Sequence, residues 1–513
     1  MEQIGLTVRP FTEQDFFEAL KNLHFDAAEV AEQPRAKYLL GYLKTISAQS
    51  ILTEEPYTDA DYLDDFASYY VRCHTPYLRR CKRLHFFSAD LEDGWFEAAL
   101  TEEGLNKLRS AYLGFIVARP LPDSIIGKTV LNTYDADNGR REYPATLDYD
   151  VHLCGLNLRV EKSLAFQEQD TILAACATVA LWSCFQKTAD LFRTPVPSPS
   201  AITRAATQFT HHGRAIPSHG LIVTEICSAI RHNGLEPELF EVSNKLPIAS
   251  LLYGYLHMGL PVILGVDVGG EGGHAIAIAG YSICAQRVRK NERGADVPMR
   301  GLRIDALYGH DDHAGPFSRL DIRPAQGSSG DFFVSLGWSN KLTGTPIKLR
   351  PTVIIVPVYH KIRITFLDVQ KWLTTVHRLI AIWFPGVQFE WDVRLCTASQ
   401  YKTDLQENDW VPVTMRDAGL RQDLPRFLWR ATLRADDHVA AEFLFDATGL
   451  ARTLPLLSVV WLAEQVALKI EGLLTSKSFQ PTADLMLTPR FNRFLKESLA
   501  QRHGGDPAGV PGA

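Results

Sequence analysis

The sequence predicts an α+β protein in which a cysteine-bearing helix packs on an antiparallel sheet that bears a histidine and an aspartate. Three observations predict this class. Cys176 begins an apolar stretch of helical length that ends before three closely spaced prolines. Two apolar stretches, 261–267 and 274–281, have the length of buried strands, and a third, 302–308, follows them. A helical-then-β region precedes this centre, and a mixed α/β region follows it.

Composition limits the classes of function. The chain has 513 residues, of which 46% are hydrophobic and 22% charged, which is typical of a globular protein with a sizeable core. A net charge of -6 gives no reason to expect a nucleic-acid partner. The N-terminus has no secretory pattern, and no apolar run approaches the length of a membrane span. Eight cysteines without tight spacing favour a reducing cytoplasm over a disulfide framework or a zinc ribbon.

The domain organisation follows from changes of periodicity and from glycine-rich breaks. Apolar residues recur at helical spacing in residues 1–110, and strands are predicted in 111–165. The central domain covers 166–340, and a mixed α/β domain covers 345–503, where the apolar run from Leu456 is predicted to be a buried helix. The tail, 504–513, is rich in glycine, proline and alanine and is expected to be disordered.

Cys176 is the strongest candidate for a reactive group. Small residues surround it and an apolar run follows, so it is predicted to lie at the first turn of a buried helix. The helix dipole favours a thiolate at that position. A cysteine nucleophile also needs a base, and the base needs a third group that fixes its tautomer and orientation. His274 opens the second central strand, and Asp311 and Asp312 follow the third.

In this order and context the sequence resembles the papain-like cysteine peptidases, in the group that includes the C39-like enzymes. Two phrases carry the resemblance besides Cys176: Gly273-His274-Ala275 leading to Gly280-Tyr281, and Asp311 leading to Gly315-Pro316-Phe317. It covers about residues 165–325. The resemblance implies a papain-like fold for the central domain and a catalytic triad at these positions.

The roles implied by the resemblance are a Cys176 nucleophile, a His274 base and an Asp311 orienting acid, with Asp312 as the alternative acid. In this group a glutamine upstream of the cysteine supplies one oxyanion donor. Gln169 is the first choice and Gln167 the second. Gln169 lies seven residues before Cys176, about one residue more than is usual.

The predicted function is a cytoplasmic, bacterial-type cysteine peptidase that cleaves a peptide or isopeptide bond of a protein or peptide substrate through an acyl-enzyme. Two alternatives stay open: an acyltransferase or transglutaminase-like enzyme on the same triad, and a non-catalytic binding module with a protease-like shape. His310, Asp311, Asp312 and His313 could instead ligate a metal. A polar turn is the simpler interpretation, so neither a metal nor a cofactor is expected.

Overall fold

The computed structural model describes residues 4–170, 172–173, 175–208, 220–243, 246–269, 272–285, 297–323, 332–339, 344–409, 411, 413–436, 438–450, 455–476 and 489–501. The tail predicted to be disordered, 504–513, lies outside the described residues. The chain divides into two compact units that alternate along the sequence. Unit 1 comprises Met1–Ser243, Gly259–Ile283 and Asp305–Tyr359, and unit 2 comprises Asn244–Met258, Cys284–Ile304 and His360–Ala513.

Unit 1 begins with a five-stranded antiparallel sheet whose strands lie in sequence order. The strands are β1 (Gly5–Pro10), β2 (Ser50–Tyr57), β3 (Cys81–Phe87), β4 (Tyr112–Ala118) and β5 (Ile126–Leu131). Every residue of β4 is buried, as expected for a central strand that is covered on both faces. Helices connect the strands: α1 (Glu13–Leu20), α2 (Ala27–Glu32), α3 (Pro34–Thr45), α4 (Ala60–Ser68), a 3₁₀ helix (Tyr70–Arg72), α5 (Trp95–Ala99) and α6 (Glu102–Ala111).

A short strand and a hairpin lead from this sheet to the central helices. The strand is β6 (Arg141–Glu142), and the hairpin pairs β7 (Leu147–Leu153) with β8 (Leu156–Ser163). Cys154 and Gly155 form its two-residue turn, and both have positive φ, as tight hairpin turns require. The helices that follow are α7 (Cys176–Phe192), α8 (Pro199–Thr207) and α9 (Val223–His232).

The centre of unit 1 is a closed six-stranded antiparallel β-barrel. Its strands are β10 (Val262–Asp267), β11 (Gly273–Ile283), β12 (Ile304–Asp311), β13 (Gly315–Arg323), β14 (Phe332–Ser339) and β15 (Pro346–Val358). They neighbour one another in sequence order, and β15 pairs back with β10, for example Ile355 with Ile263. A further strand, β9 (Glu236–Glu241), adds to β15, and β6 adds to β11. Helix α7 packs against β11.

Unit 2 is built on a four-stranded antiparallel sheet in the order β16 (Phe389–Thr397), β17 (Phe427–Ala435), β18 (His438–Asp446) and β19 (Leu456–Trp461). Its helices are α10 (Ile248–Leu256), a 3₁₀ helix (Arg300–Arg303), α11 (Phe366–Trp383), α12 (Ala398–Glu407), α13 (Val413–Arg421), α14 (Glu464–Thr475) and α15 (Pro489–Gln501). All nine residues of α10 are buried. Among the described residues, no helix has both the length and the apolar character to cross a bilayer.

The predicted fold class is wrong in its central claim. Instead of a papain-like α+β core, the chain forms antiparallel sheets and a closed six-stranded barrel. The pairing of β15 with β10 closes this barrel, and no local pattern in the sequence signals a pairing between strands about 90 residues apart. The helical-then-β description of the N-terminal region also fails, because β1 to β3 alternate with helices. The run from Leu456 is a strand, since a short apolar run fits either element.

Candidate functional site

Cys176 is the first residue of α7, as its small neighbours and the following apolar run predict. Ala175 is the extended N-cap residue, and its carbonyl accepts from the amides of Thr178 and Val179. The ten residues that follow Cys176 in α7 are all buried, whereas Cys176 itself is partly exposed. A thiol in this position is reachable by a substrate and lies at the positive end of the helix dipole.

His274 is the second residue of β11 and is buried, with 6% of its surface exposed. It is paired with Val266 on β10, so the barrel fixes its backbone. The alternating residues Ala275, Ala277 and Ala279 are small and buried, which allows α7 to lie close to this strand. The Cys176 side chain interacts with the His274 imidazole, and this interaction contributes to raising the pKa of the ring. Helix and strand therefore bring the predicted nucleophile and base together.

Asp311 ends β12 and is fully buried. Its Oδ1 lies 3.0 Å from Nε2 of His274 and also accepts from the main-chain N–H of His313, at 3.0 Å. Asp312 Oδ1 lies 3.4 Å from the same Nε2. Because Nε2 faces the two carboxylates, Nδ1 of His274 is the nitrogen left to exchange a proton with the Cys176 thiol.

The two carboxylates have different electrostatic environments. Burial alone would raise the pKa of Asp311, but the charge and hydrogen bond of His274 and the His313 N–H hold it below its usual value. Burial raises the pKa of Asp312 to about 6, against the opposing charge of His274. Neither side-chain oxygen of Asp312 has a hydrogen-bond partner among the described residues. Asp311 is thus the carboxylate that is set up to remain ionised.

The same contacts determine the charge of the imidazole. Burial alone would lower the pKa of His274, but the charge and hydrogen bond of Asp311, the hydrogen bond with Cys176 and the charge of Asp312 together raise it well above its usual value. A protonated imidazole next to a cysteine is the partner that cysteine nucleophiles use.

Aromatic rings cover the contact between His274 and the carboxylates. The His313 ring stacks on Trp338 with a centroid distance of 4.4 Å and an interplanar angle of 7°. His274 meets both rings edge-on, at 4.9 Å from His313 and 5.4 Å from Trp338. Because His274 and Asp311 are both buried, their electrostatic interaction is stronger than it would be in water.

The two glutamines proposed as oxyanion donors lie in the segment before α7. The main-chain carbonyl of Gln169 accepts from Ser124 Oγ at 2.8 Å, and its side chain is partly exposed. Gln167 is 3% exposed, and its Nε2 has no partner among the described residues. The amide of Gln167 is therefore a buried donor without an acceptor, which makes the second choice from the sequence as strong a candidate as the first.

His310 does not belong with the candidate metal ligands. Its Nε2 bonds to the carbonyl of Leu164 at 2.9 Å, and its Nδ1 accepts from the Phe317 amide at 3.1 Å. Burial lowers its pKa to about 4. The ring is therefore neutral and ties β12 to neighbouring segments. In contrast, His274, Asp312 and His313 have ligand atoms that all lie within 4.8 Å of one another.

Sequence reasoning missed three residues of the site. Trp338 comes from β14, Glu168 from the segment before α7, and Arg35 from α3. Arg35 Nε donates to the carbonyl of Asp312 at 2.5 Å, and its Nη1 lies 2.5 Å from Glu168 Oε1. The only local signal for Glu168 was its position, as a charged residue next to the predicted oxyanion glutamine. Nothing near Arg35 in the sequence indicates a role in this site.

No protein-family model matches the sequence, and no curated protein is significantly similar to it. The proposal for its function therefore depends on the geometry of the site.

Proposed function

We propose that this chain is a cysteine-dependent hydrolase that cleaves a peptide or isopeptide bond through an acyl-enzyme. The observation that carries the proposal is a single buried imidazole with two partners. His274 contacts the Cys176 thiol on one side and lies 3.0 Å from Asp311 Oδ1 through Nε2 on the other. The resemblance of three local motifs to the C39-like peptidases supports the same roles, independently of the fold.

In the first half of the reaction the Cys176 thiolate attacks the substrate carbonyl carbon, and a C–S bond forms. The negative charge moves to the carbonyl oxygen, where the Cys176 main-chain N–H and the amide of Gln169 or Gln167 would donate. The imidazolium of His274 then gives its Nδ1 proton to the departing amine as the C–N bond breaks. Asp311 holds the ring orientation throughout.

In the second half, water attacks the thioester and His274 takes its proton. The C–S bond breaks, the carboxylic acid leaves, and the thiolate–imidazolium pair returns. An amine in place of water would give acyl transfer by the same steps. Mass spectrometry of the products separates the two, because hydrolysis adds water across the bond and transfer joins the acyl group to the amine.

A reducing, cytoplasmic location belongs to this proposal. None of the eight cysteines, all of which lie among the described residues, forms a disulfide, including the exposed Cys154. A catalytic thiol needs the reduced form to act as a nucleophile.

Selective alkylation tests the nucleophile. At pH 6, iodoacetamide should modify Cys176 at least about 10-fold faster than Cys154, because a thiolate–imidazolium pair is reactive below the ordinary thiol pKa. Cys154 is the matched control, since it is more exposed, while burial raises its pKa. Peptide mass spectrometry measures both rates. Cys176→Ala should abolish turnover and Cys154→Ala should not. Equal rates at the two cysteines would contradict the proposal.

The environment of Asp312 favours a second candidate, a metal-dependent hydrolase. Its unpartnered oxygens lie beside two imidazoles, and the 3.4 Å between Asp312 Oδ1 and His274 Nε2 is close to the spacing of about 3.4 Å between ligands of a tetrahedral zinc ion. His274, Asp312 and His313 would then leave one position open for water. Activity that a chelator removes, that zinc restores and that survives in Cys176→Ala would establish this candidate over the first.

A further inference from the structure

Arg35 joins the two segments that carry the candidate catalytic groups. It lies on α3, which is about 140 residues from Cys176 in sequence. Its Nε donates to the main-chain carbonyl of Asp312 at 2.5 Å, and its Nη1 lies 2.5 Å from Oε1 of Glu168. The ion pair is largely buried, with side-chain exposures of 18% for Arg35 and 5% for Glu168. We propose that Arg35 is a positioning residue that fixes the acid-bearing turn relative to the oxyanion segment.

Several hydrogen bonds hold Glu168 in place, so Arg35 pairs with a carboxylate whose position is fixed. The second carboxylate oxygen of Glu168 accepts from the Ile126 amide at 3.0 Å. Its main-chain carbonyl accepts from the Arg119 guanidinium, also at 3.0 Å. These bonds attach the segment with Gln167 and Gln169 to β5 and to the end of β4. What remains to be fixed is the distance from this segment to the turn of Asp311 and Asp312.

The chemistry of the guanidinium suits this role. Its planar, forked donors can satisfy a carbonyl and a carboxylate at the same time, in directions that the rigid planar group sets. A lysine ammonium is a point charge on a flexible stem and would reach one partner without fixing the angle to the other. The turn itself is tight, because the Ala314 amide donates to the Asp311 carbonyl at 3.0 Å. Moving the Asp312 carbonyl would therefore move Asp311 as well.

The consequence for catalysis rests on the proposed function. A shift of the turn relative to Gln167 and Gln169 would separate the base from the oxyanion donors. A misplacement of about 1 Å can cost about 100-fold in rate. The hydrogen bond and the ion pair of Arg35 go to the Asp312 carbonyl and to Glu168, so it acts through the groups that it positions.

The test compares Arg35→Gln and Arg35→Lys with Lys37→Ala, an exposed residue of the same helix. The value of kcat is expressed per Cys176 that an alkylating probe can titrate. A loss of folded protein then does not change the measured kcat. Arg35→Gln should lower this kcat about 100-fold with KM within about 3-fold. Arg35→Lys should not restore it, and Lys37→Ala should match the wild type. A normal kcat per titrated site in Arg35→Gln, or full rescue by lysine, would overturn the proposal.

Hydrogen exchange gives a readout that does not depend on catalysis. The amides of His313 and Ala314, which bond within the turn, should exchange faster in Arg35→Gln, while amides in the middle of β12 keep their protection. Unchanged exchange at the turn would overturn the positioning role even in a fully active enzyme. If the wild type instead shows no turnover that depends on Cys176, the proposed function fails, and faster exchange would still support the structural link.

Discussion

Adjacent carboxylates with different partners are the main feature of this site at the scale of single residues. Asp311 accepts from His274 and from the His313 N–H, whereas neither Asp312 oxygen has a hydrogen-bond partner among the described residues. Asp311→Ala should therefore lower kcat on the order of 10²- to 10⁴-fold, because the imidazole loses its orienting acceptor. Asp311→Asn should retain more activity, since the amide oxygen can accept the same bonds. Steady-state kinetics measures both variants.

Asp312→Ala provides the comparison for that prediction. It removes a carboxylate that lies 3.4 Å from Nε2 and has no hydrogen-bond partner among the described residues. We expect a loss of less than about 10-fold, because the hydrogen bond from His274 to Asp311 remains. A loss as large as that of Asp311→Ala would reverse the assignment of the orienting acid.

A buried carboxylate outside the candidate site makes the stability of the protein depend on pH. Asp65 on α4 accepts from the Ser200 amide at 3.0 Å, and burial together with the charge of Asp170 raises its pKa to about 8. Its pKa in the unfolded chain is about 3.9. Between these values the folded state binds more protons than the unfolded state, so the free energy of unfolding falls as pH rises from about 4 to about 8.

Asp65→Asn should remove this slope. The amide is neutral at every pH and still offers an oxygen to the Ser200 N–H. At pH 8 it should raise the free energy of unfolding on the order of 1–3 kcal/mol relative to wild type, with little difference near pH 4. Urea unfolding across this range measures the effect. A stability profile of Asp65→Asn that runs parallel to that of the wild type would refute the explanation.

The residues of the site differ in how far the sequence alone could predict them. Cys176, His274 and Asp311 each lie at the end of an element with a clear local pattern, so order and context were enough to propose that they meet. Trp338 and Arg35 could not be proposed, because their roles depend on packing between segments that are distant in sequence. The unpartnered amide of Gln167 likewise becomes visible only once its surroundings are known.

At the scale of elements, the turn between β12 and β13 depends on contact with α3. A Cβ added at Gly315 would lie 2.2 Å from a ring carbon of Tyr38, whose hydroxyl donates to the Pro316 carbonyl at 2.9 Å. Gly315→Ala should therefore displace either the ring or the turn and cost about 1–3 kcal/mol of stability. It should also lower kcat, since Gly315 pairs with Asp311. Thermal unfolding and kinetics measure the two effects.

Gly41→Ala is the matched control on the same helix. Apart from the backbone of its own helix, no described residue has an atom within 4 Å of a Cβ added at Gly41. Alanine should stabilise the helix interior by up to about 1 kcal/mol and leave kcat unchanged. If Gly315→Ala behaved like this control, α3 would not constrain the turn.

Three strands of the barrel were predictable from the sequence, but the arrangement of the strands was not. The length of the apolar runs in 261–267, 274–281 and 302–308 indicates strands, and β10, β11 and β12 overlap these positions. Barrel closure depends on β15 pairing with β10, a choice of partner that hydrophobic periodicity does not encode. The run from Leu456 illustrates a second limit of prediction from sequence, which concerns the type of element. A short apolar stretch fits a buried helix and a strand equally well.

At the scale of the whole molecule, the chain leaves unit 1 twice before it enters the C-terminal part of unit 2. The segments Asn244–Met258 and Cys284–Ile304 belong to unit 2, although residues of unit 1 flank them on both sides. Within unit 2, the Tyr255 ring of α10 packs edge-on against Trp429, with a centroid distance of 5.1 Å. Arg303 pairs with Glu390 through Nη2 and Oε2 at 2.7 Å. The early segments thus depend on the late sheet for their burial.

This interleaving predicts that unit 1 cannot be obtained by cutting the chain after Tyr359. Such a truncation keeps α10 but removes the sheet of unit 2, so a helix whose nine residues are all buried would lose its covering. Exposed apolar surface of this kind promotes association. We expect the 1–359 chain to aggregate or to bind a hydrophobic dye, as measured by size-exclusion chromatography and fluorescence. Co-expression with residues 360–513 should restore a species that neither aggregates nor binds the dye, because the second fragment supplies the missing sheet. A monomeric 1–359 chain that unfolds at the wild-type temperature would show that α10 does not need unit 2.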